Sequence, residues 1–332
     1  MQTEPADLAG LGFGRPDIDA ALARLDQGGR HFLRQTPLWK LPGADLGLRC
    51  AQVWFKLEHQ QVGGSFKARG MLNRMLAQPI GPAGVTIASG GNAGIAAAAA
   101  AKALGVPCEV FVSAVSSLAK RERLLELGAV VAVVGEGYAQ AFEACLARQK
   151  LSGALLMHAY DQVEVVAGAA TLGAEIEAQA GLPDSVLVSV GGGGLIGGIA
   201  SWFGERARVV ALEPELAPTL HRARSAGAPV DVAVGGIAAD SLGAKRIGDI
   251  SWAVTQRHIK VALLLPDAAI RAAQLWLWQE LKLAVEPAAA LGLAALQTGA
   301  YVPRPDETVC LILCCANLDP ASLNAAPAPS FP

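Results

Sequence analysis

Short apolar runs rich in β-branched residues alternate with longer alanine-rich runs along this chain, and no other feature limits its fold as strongly. The short runs read AQVWFKLE, GVTIAS, CEVFVS, AVVAVVG, SVLVSVGG, RVVALEP and ETVCLILCC. A strand that is buried on both faces is continuously apolar, and strands separated by helices pair in parallel. The alternation therefore predicts the α/β class, with parallel strands joined by crossover helices.

The helical runs between these strands have clear ends. NAGIAAAAAAKALG and SSLAKRERLLELG both finish on a glycine, the usual residue after a helix C-terminus. The second run begins with serines that can cap its N-terminus. DAAIRAAQLWLWQELK is a third helical run, and DQVEVVAGAATLGAEI begins a long fourth one.

The order of these runs predicts two domains. Two of the strands, with their helices, lie between about residues 72 and 158. We therefore predict a small α/β domain of residues 72–158, inserted into a large domain of residues 1–71 and 159–332. The final residues, NAAPAPSFP, are expected to form a loose tail.

Charge and composition favour a small-molecule ligand. The net charge of -2, the isoelectric point of about 6.2 and the scattered lysines and arginines offer no basic surface for nucleic acid. Mean hydropathy is high at +0.37, but the apolar runs are too short to span a membrane. The first residues, MQTEPADLAGLGFG, have no basic region ahead of an apolar run, so we expect no secretory leader and a cytoplasmic location.

The cysteines and histidines form neither a disulfide pattern nor a metal-binding pattern. No two cysteines are spaced as CxxC, and most have apolar neighbours, as reduced core thiols do. No two histidines have the spacing of metal ligands on a helix. The residues concerned are Cys50, Cys108, Cys145, Cys310, Cys314 and Cys315, and His31, His59, His158, His221 and His258. We expect neither a disulfide nor a zinc site.

Three loops carry the residues that indicate function, and the first is KLEHQQVGGSFKARG. This loop follows a strand and opens a helix near Ser65, so Lys67 lies in an early helical turn. The positive end of the helix dipole disfavours an ammonium group there, which lowers the pKa of the amine and favours a Schiff base. From this loop alone, a surface lysine is an equally good interpretation.

The second loop, ASGGNAG, joins the strand GVTIAS to an alanine-rich helix. Backbone amides at such a turn point toward any group above the helix N-terminus, so a carboxylate or a phosphate fits there. Ser89 and Asn92 can add side-chain hydrogen bonds. The alternative is an ordinary turn in which Asn92 caps the helix.

The third loop, SVGGGGLIGG, has four consecutive glycines between a strand and a helix. They are Gly191, Gly192, Gly193 and Gly194. Consecutive glycines allow close approach of the backbone and positive φ, which a phosphate-binding loop needs. The same stretch contains a GxGxxG motif from Gly192 to Gly197, and Glu213 follows about 20 residues on, as in a dinucleotide-binding fold.

The three loops together favour one cofactor. A dinucleotide-binding domain uses only the third loop. An amine to hold an aldehyde, a turn for a substrate carboxylate and a glycine loop for a phosphate together make a pyridoxal phosphate site. We therefore predict pyridoxal 5'-phosphate as the cofactor and a small amino acid as the substrate, with a nicotinamide-dependent oxidoreductase as the alternative.

These residues give the chain a resemblance to the fold-type II pyridoxal-phosphate enzymes, which share the tryptophan synthase β-like fold. It most closely resembles the serine/threonine dehydratase (ammonia-lyase) branch, to which serine racemase is related. The resemblance extends from QTPLWKLPGADLG to LCCANLD and implies two twisted, parallel-type sheets flanked by helices. Dimers are common in this family, so a homodimer is a further expectation.

The resemblance assigns roles to the three loops. Lys67 in SFKARG carries the cofactor and is the catalytic residue, and Phe66 stacks on the cofactor ring. The glycine loop of residues 191–194 binds the phosphate. The turn that binds the substrate carboxylate and the ring hydroxyl consists of Ser89, Gly90, Gly91 and Asn92.

Three further assignments follow from the resemblance. Cys314 in CCAN takes the position that contacts the ring nitrogen, and a thiol cannot keep that ring protonated, which favours elimination over transamination. Glu286 in VEPAAALGLAAL lies near the ring. Some family members bind a divalent cation through a glutamate like Glu213, a carbonyl near Ala217 and an acid two residues later. That last position is Thr219 here, so a cation site is not expected.

The implied reaction is β-elimination on a β-hydroxy amino acid such as L-serine or L-threonine, giving a 2-oxo acid and ammonia. In this reaction Lys67 removes the Cα proton. Racemases of the same fold carry a serine at the position of Gly90, so a racemase is the less favoured alternative. Ala93 replaces a usual histidine and Ser241 a usual glycine, so the substrate preference is expected to differ from that of ordinary threonine dehydratases.

Overall fold

The computed structural model describes residues 10–324, and the predicted tail lies outside them apart from Asn324. The helices are α1 (Arg15–Gly28), α2 (Lys67–Leu76), α3 (Asn92–Leu104), α4 (Leu118–Glu126), α5 (Tyr138–Ser152), α6 (Val163–Ala180), α7 (Gly194–Phe203), α8 (Thr219–Ala226), α9 (Asp249–His258), α10 (Asp267–Leu281) and α11 (Pro287–Gln297). The strands are β1 (Leu38–Pro42), β2 (Gln52–Lys56), β3 (Val85–Ala88), β4 (Cys108–Val112), β5 (Val130–Val133), β6 (Leu155–Met157), β7 (Ser185–Ser189), β8 (Arg208–Pro214), β9 (Val261–Leu265) and β10 (Thr308–Ile312).

The larger sheet has six strands in the order β1, β2, β10, β7, β8, β9. Strands β2, β10, β7, β8 and β9 pair in parallel, and β1 runs antiparallel to β2 at one edge. Every residue of the central strand β7 is buried, as the continuous apolar run in its sequence predicts. The largest apolar core surrounds this sheet.

The smaller sheet has four parallel strands in the order β5, β4, β3, β6. All four lie within residues 85–157, inside the range predicted for a small domain. The expectation of two strands in this range is wrong, because the runs GVTIAS, CEVFVS and AVVAVVG form β3, β4 and β5 there, and the three-residue β6 is a fourth strand. A second apolar core lies around β3 and α3. The division into two domains stays a prediction.

Close helix packing fixes the position of the lysine-bearing helix. A Cβ atom on Gly70 in α2 would lie 2.7 Å from Val165 O in α6, and one on Gly198 in α7 would lie 2.5 Å from Ala170 N in α6. Only glycine permits such an approach of two helix backbones. Helix α6 therefore holds α2 and α7 at a fixed spacing, and both of these helices begin in loops that the sequence singled out.

All six cysteines lie in the described part of the chain and are buried and free. Among residues 10–324, no cluster of histidine, cysteine and acidic side chains has the arrangement of a metal site. In the same part of the chain, the helices are either too short or too polar to cross a bilayer.

Candidate active site

The amine of Lys67 lies at the first residue of α2. The side chain is half-buried, and Nζ donates a hydrogen bond to Ala159 O at 2.6 Å. Burial lowers the pKa of Lys67 to about 8, and the neighbouring Cys314 and Cys315 act in the opposite direction. An amine with this pKa is partly neutral near neutral pH, which a nucleophilic lysine requires. The ring of Phe66 lies 5.0 Å from the same Nζ atom.

The arginine two residues after Lys67 anchors the lysine-bearing helix. Arg69 Nε donates to Glu58 Oε1 at 2.6 Å, and its Nη2 donates to Glu175 Oε2 at 2.8 Å. Lys56 Nζ lies 2.5 Å from the other oxygen of Glu175. Because Arg69, Glu58 and Lys56 are buried, losing one partner leaves an unpaired charge, which costs about 3–5 kcal/mol in other proteins. This ion cluster fixes α2 against α6 and the end of β2.

Residues 159 and 160 connect the amine to the glycine loop. Ala159 O accepts the hydrogen bond from Lys67, and the ring of Tyr160 packs on the glycines. A Cβ atom on Gly192 would lie 2.4 Å from Tyr160 Cδ1, and one on Gly194 would lie 3.0 Å from Tyr160 Cβ. The first and third loops therefore meet.

The glycine loop forms an anion cradle at the start of α7. Gly191 and Gly193 have φ angles of 56° and 93°, which favour glycine. The N–H groups of a first helical turn have no carbonyl partner within the helix. Ser251 Oγ is buried without a hydrogen-bond partner in the described residues, and a Cβ atom on Gly193 would lie 2.9 Å from it. An unpaired hydroxyl beside a helix N-terminus fits the phosphate group of pyridoxal phosphate.

The ASGGN turn begins α3, with Gly91 before the helix and Asn92 as its first residue. Asn92 Nδ2 donates to Glu286 Oε2 at 2.9 Å, and Asn92 Oδ1 accepts from Asn317 Nδ2 at 2.6 Å. The side chain does not cap its own helix, so the alternative of an ordinary asparagine-capped turn is wrong. Asn317 Nδ2 also donates to Gly63 O at 2.8 Å, which connects the second loop to the first.

The first residues of this turn offer one hydroxyl. Ser89 Oγ accepts a hydrogen bond from Gly91 N at 3.4 Å. A Cβ atom on Gly90 would lie 2.5 Å from Ser116 Oγ, so a side chain at this position would require Ser116 to move. The turn therefore presents a serine at position 89 and none at position 90.

The CCAN segment runs beside the lysine loop. Phe66 N donates to Cys314 O at 3.0 Å, and Ser65 pairs with Cys315 in an isolated antiparallel bridge. The two sulfur atoms are buried and 3.5 Å apart. The hydrogen bond to Cys314 and burial raise the pKa of Cys315, so its thiol stays neutral. The residue predicted to contact the ring nitrogen therefore lies next to Lys67.

Glu213 is a buried cap of α8. Its carboxylate accepts hydrogen bonds from Leu220 N at 2.7 Å and His221 N at 2.8 Å. Thr219 Oγ1 lies 3.0 Å from Glu213 Oε1 and 2.5 Å from Gly191 O. Burial raises the pKa of Glu213 in spite of these hydrogen bonds. The acid that a dinucleotide site would direct at a ribose is therefore engaged within the protein, and Thr219 links it to the glycine loop.

A buried lysine in α4 contacts the site, and sequence reasoning missed it. Lys120 Nζ pairs with Asp240 and lies 3.7 Å from Glu286 Oε1. Nothing in SSLAKRERLLELG distinguishes Lys120 from its charged neighbours, because only the packing of α4 directs it inward. Ser251 was missed for the same reason. Asn317 stands in the CCAN segment, so its place near the site could have been predicted.

The site brings together three helix N-termini, at Lys67, Asn92 and Gly194. They supply an amine of lowered pKa, an asparagine turn and an anion cradle. This combination fits the class of enzymes that use a phosphorylated aldehyde as cofactor.

Comparison with known proteins gives the family. The family model described as pyridoxal-phosphate dependent enzyme matches residues 30–314. A phenylserine dehydratase of Ralstonia pickettii is 34% identical over 318 residues, covering 92% of this chain and 95% of that protein. An L-threonine ammonia-lyase of Geobacter sulfurreducens is 34% identical over 82% of this chain and 69% of its own length. The solved structure of maize serine racemase has a TM-score of 0.87 and 27% identity, covering 94% of this chain and 95% of that one. The chain belongs to the pyridoxal-phosphate dependent enzymes.

These findings decide several of the sequence predictions. The fold-type II architecture, the cofactor and the dehydratase-like lyase class are confirmed. The nicotinamide-dependent alternative is wrong, because the family uses pyridoxal phosphate. The roles of the individual site residues, the compartment and the oligomeric state stay predictions.

Proposed function

We propose that the chain catalyses β-elimination on a β-hydroxy amino acid. The substrate loses its Cα proton and its β-hydroxyl group as water, the resulting enamine tautomerises to an imine, and hydrolysis of the imine C=N bond gives a 2-oxo acid and ammonia. The observation that carries this proposal is the lysine amine of lowered pKa between an anion cradle and an asparagine turn. The relatives named as dehydratase and ammonia-lyase support it.

Each loop has a part in this reaction. Lys67 would bind the aldehyde carbon of the cofactor, and once displaced by the substrate its amine would accept the Cα proton. The first turn of α7 and Ser251 would hold the phosphate group. Ser89 and Asn92 would hold the substrate carboxylate. When bound, pyridoxal phosphate withdraws electrons from Cα and so makes its proton removable.

Two features favour elimination over racemisation. A racemase needs a second acid or base on the face opposite the lysine, and Gly90 offers no hydroxyl at the position where related racemases carry one. A thiol such as that of Cys314 would leave the ring nitrogen unprotonated, which favours prompt loss of the β-substituent.

A panel of β-hydroxy amino acids tests the proposal. Serine, threonine, 3-hydroxyaspartate and 3-phenylserine are assayed for 2-oxo acid, for ammonia and for the opposite enantiomer. We expect 2-oxo acid and ammonia in equal amounts, no turnover by Lys67→Ala, and full turnover by Lys102→Ala, which changes an exposed lysine of α3. Formation of the opposite enantiomer without 2-oxo acid would show a racemase instead.

A further inference from the structure

Four aromatic rings that the proposed reaction does not use form a continuous layer beside the amine. This aromatic layer consists of Tyr138, Phe142, His158 and Tyr160. The rings of Tyr138 and Phe142 stack with their centroids 5.8 Å apart. His158 meets Phe142 edge-on at 6.0 Å and Tyr160 edge-on at 4.7 Å. The layer therefore joins the start of α5 to the segment that follows β6.

The inner end of the aromatic layer lies at the reactive amine. Ala159, between His158 and Tyr160, accepts the hydrogen bond from Lys67 Nζ at 2.6 Å. The ring of Tyr160 packs on the glycine loop, and its hydroxyl donates to Arg246 O at 3.2 Å. At the outer end, Tyr138 is 48% exposed. The layer thus runs from the amine to the surface.

The aromatic layer is uncharged. His158 Nδ1 accepts a hydrogen bond from Asp161 N at 2.9 Å, and burial lowers the pKa of this imidazole. Burial also raises the pKa of Tyr160, so its hydroxyl stays neutral. Neutral, partly exposed rings beside the lysine amine favour binding of another aromatic ring, because the interaction energy of an aromatic pair exceeds what its buried area alone provides. The side chains of serine and threonine are too small to use this surface.

We propose that the aromatic layer binds an aryl group on the β-carbon of the substrate, so that β-aryl-β-hydroxy amino acids are the preferred substrates. This inference rests on the proposed function. It makes the four rings determinants of specificity, whereas Lys67 and the glycine loop act on every substrate alike.

Kinetics of the holoenzyme with 3-phenylserine and with threonine provide the first test. Tyr138→Ala and Phe142→Leu change the two rings farthest from the amine, and Phe142→Leu keeps an apolar side chain for folding. We expect each variant to lower kcat/KM for 3-phenylserine about tenfold while changing that for threonine less than about twofold. Trp278→Ala, which removes a ring that is 38% exposed in α10, should leave both values unchanged.

Binding without turnover provides the second test. Phenylalanine and alanine lack the β-hydroxyl group, so titration of the visible absorbance of the holoenzyme gives their dissociation constants. We expect phenylalanine to bind at least about tenfold more tightly than alanine, and Tyr138→Ala to remove this preference. Equal affinity for the two ligands, or an equal loss of both in the variant, would overturn the inference.

The two proposals fail in different ways. If no β-hydroxy amino acid releases a 2-oxo acid, the proposed function fails, while a preference for phenylalanine would still support an aryl-binding layer. If threonine and 3-phenylserine react with equal kcat/KM, the proposed function stands and the aryl preference is overturned.

Discussion

Burial has the largest effect on the reactivity of Lys67. The helix N-terminus by itself predicts a lowered pKa, and the structure adds removal of the amine from water as the main cause. The neighbouring thiols of Cys314 and Cys315 act in the opposite direction. The amine therefore changes charge at about pH 8, close to working conditions, while a solvated lysine stays charged there.

The pH dependence of cofactor binding should report this pKa. Only the neutral amine attacks an aldehyde, so the rate at which the cofactor-free chain binds pyridoxal phosphate should rise with pH and level off above about 8. The appearance of the yellow absorbance of the bound cofactor measures this rate. A rate that keeps rising up to the ordinary lysine value of 10.5 would show that the amine is solvated.

The Thr219→Val variant should weaken cofactor binding. It removes the hydroxyl that lies between Gly191 O and Glu213, whose one proton can be donated to only one of these two buried acceptors, at a cost of about 1–3 kcal/mol. The expected result is a roughly tenfold or greater rise in the dissociation constant of pyridoxal phosphate. Thr255→Val is the matched control, because this buried hydroxyl binds Trp252 O in its own helix. An equal effect of both variants would count against a specific role for Thr219.

The residues of the site differ in how far a local pattern could predict them. Lys67, Asn92 and the glycine loop lie at helix starts that glycines, serine and asparagine mark in the sequence. Lys120 and Ser251 reach the site from helices whose orientation depends on packing between distant segments. Local sequence patterns do not encode that packing, so these two could not be predicted.

At the level of elements, helix α4 contacts the candidate site through one charged side chain, that of Lys120. Lys120 projects from α4, beside the smaller sheet, to Asp240 and to Glu286, which directly precedes α11. Glu286 in turn accepts hydrogen bonds from Asn92 Nδ2 and Asn317 N. This network links α4 to the turn proposed to bind the substrate carboxylate.

The Lys120→Met variant tests this link between α4 and the asparagine turn. It leaves the buried Glu286 without its cation, so we expect the asparagine turn to lose its fixed position. The expected result is a roughly tenfold higher KM with a smaller change in kcat. Arg123→Met is the matched control, since Arg123 lies in the same helix and pairs with Glu126 at the surface. An unchanged KM in Lys120→Met would refute the link.

The elements of the fold were predictable where burial is complete. Strands β3, β7 and β10 are buried at nearly every position and stand out as continuous apolar runs. Strands β1, β6 and β9 were not predicted. The first is a half-exposed antiparallel edge, the second has three residues, and the third is a half-buried edge of the larger sheet. Edge position alone does not remove the pattern, because the edge strand β5 was predicted from AVVAVVG and β9 reads VALLL.

At the level of the whole molecule, His59 should make the fold sensitive to acid. Burial lowers the pKa of His59 to about 4 from an ordinary value of 6.5, so the folded chain keeps this imidazole neutral where the unfolded chain protonates it. The contribution of the neutral His59 to the free energy of unfolding is therefore complete above pH 6.5. It is lost as the pH falls toward 4, and the total loss is about 3 kcal/mol.

Denaturant unfolding at several pH values measures this loss. His59→Gln should reduce the decrease in unfolding free energy between pH 6.5 and 4 by up to about 3 kcal/mol, and His158 and His258, whose pKa values burial also lowers, should account for part of the remainder. His31→Gln, which changes an exposed histidine, should retain it. The same decrease in His59→Gln would assign the acid sensitivity to other groups.

Borohydride reduction of the holoenzyme tests the central claim most directly, because it fixes the cofactor on whichever amine holds it. Mass spectrometry of the digested protein then identifies the modified residue. We predict that the yellow absorbance disappears and that the phosphopyridoxyl group is found on Lys67. A modification on another lysine, or bound cofactor that leaves Lys67 unmodified, would contradict the proposed site.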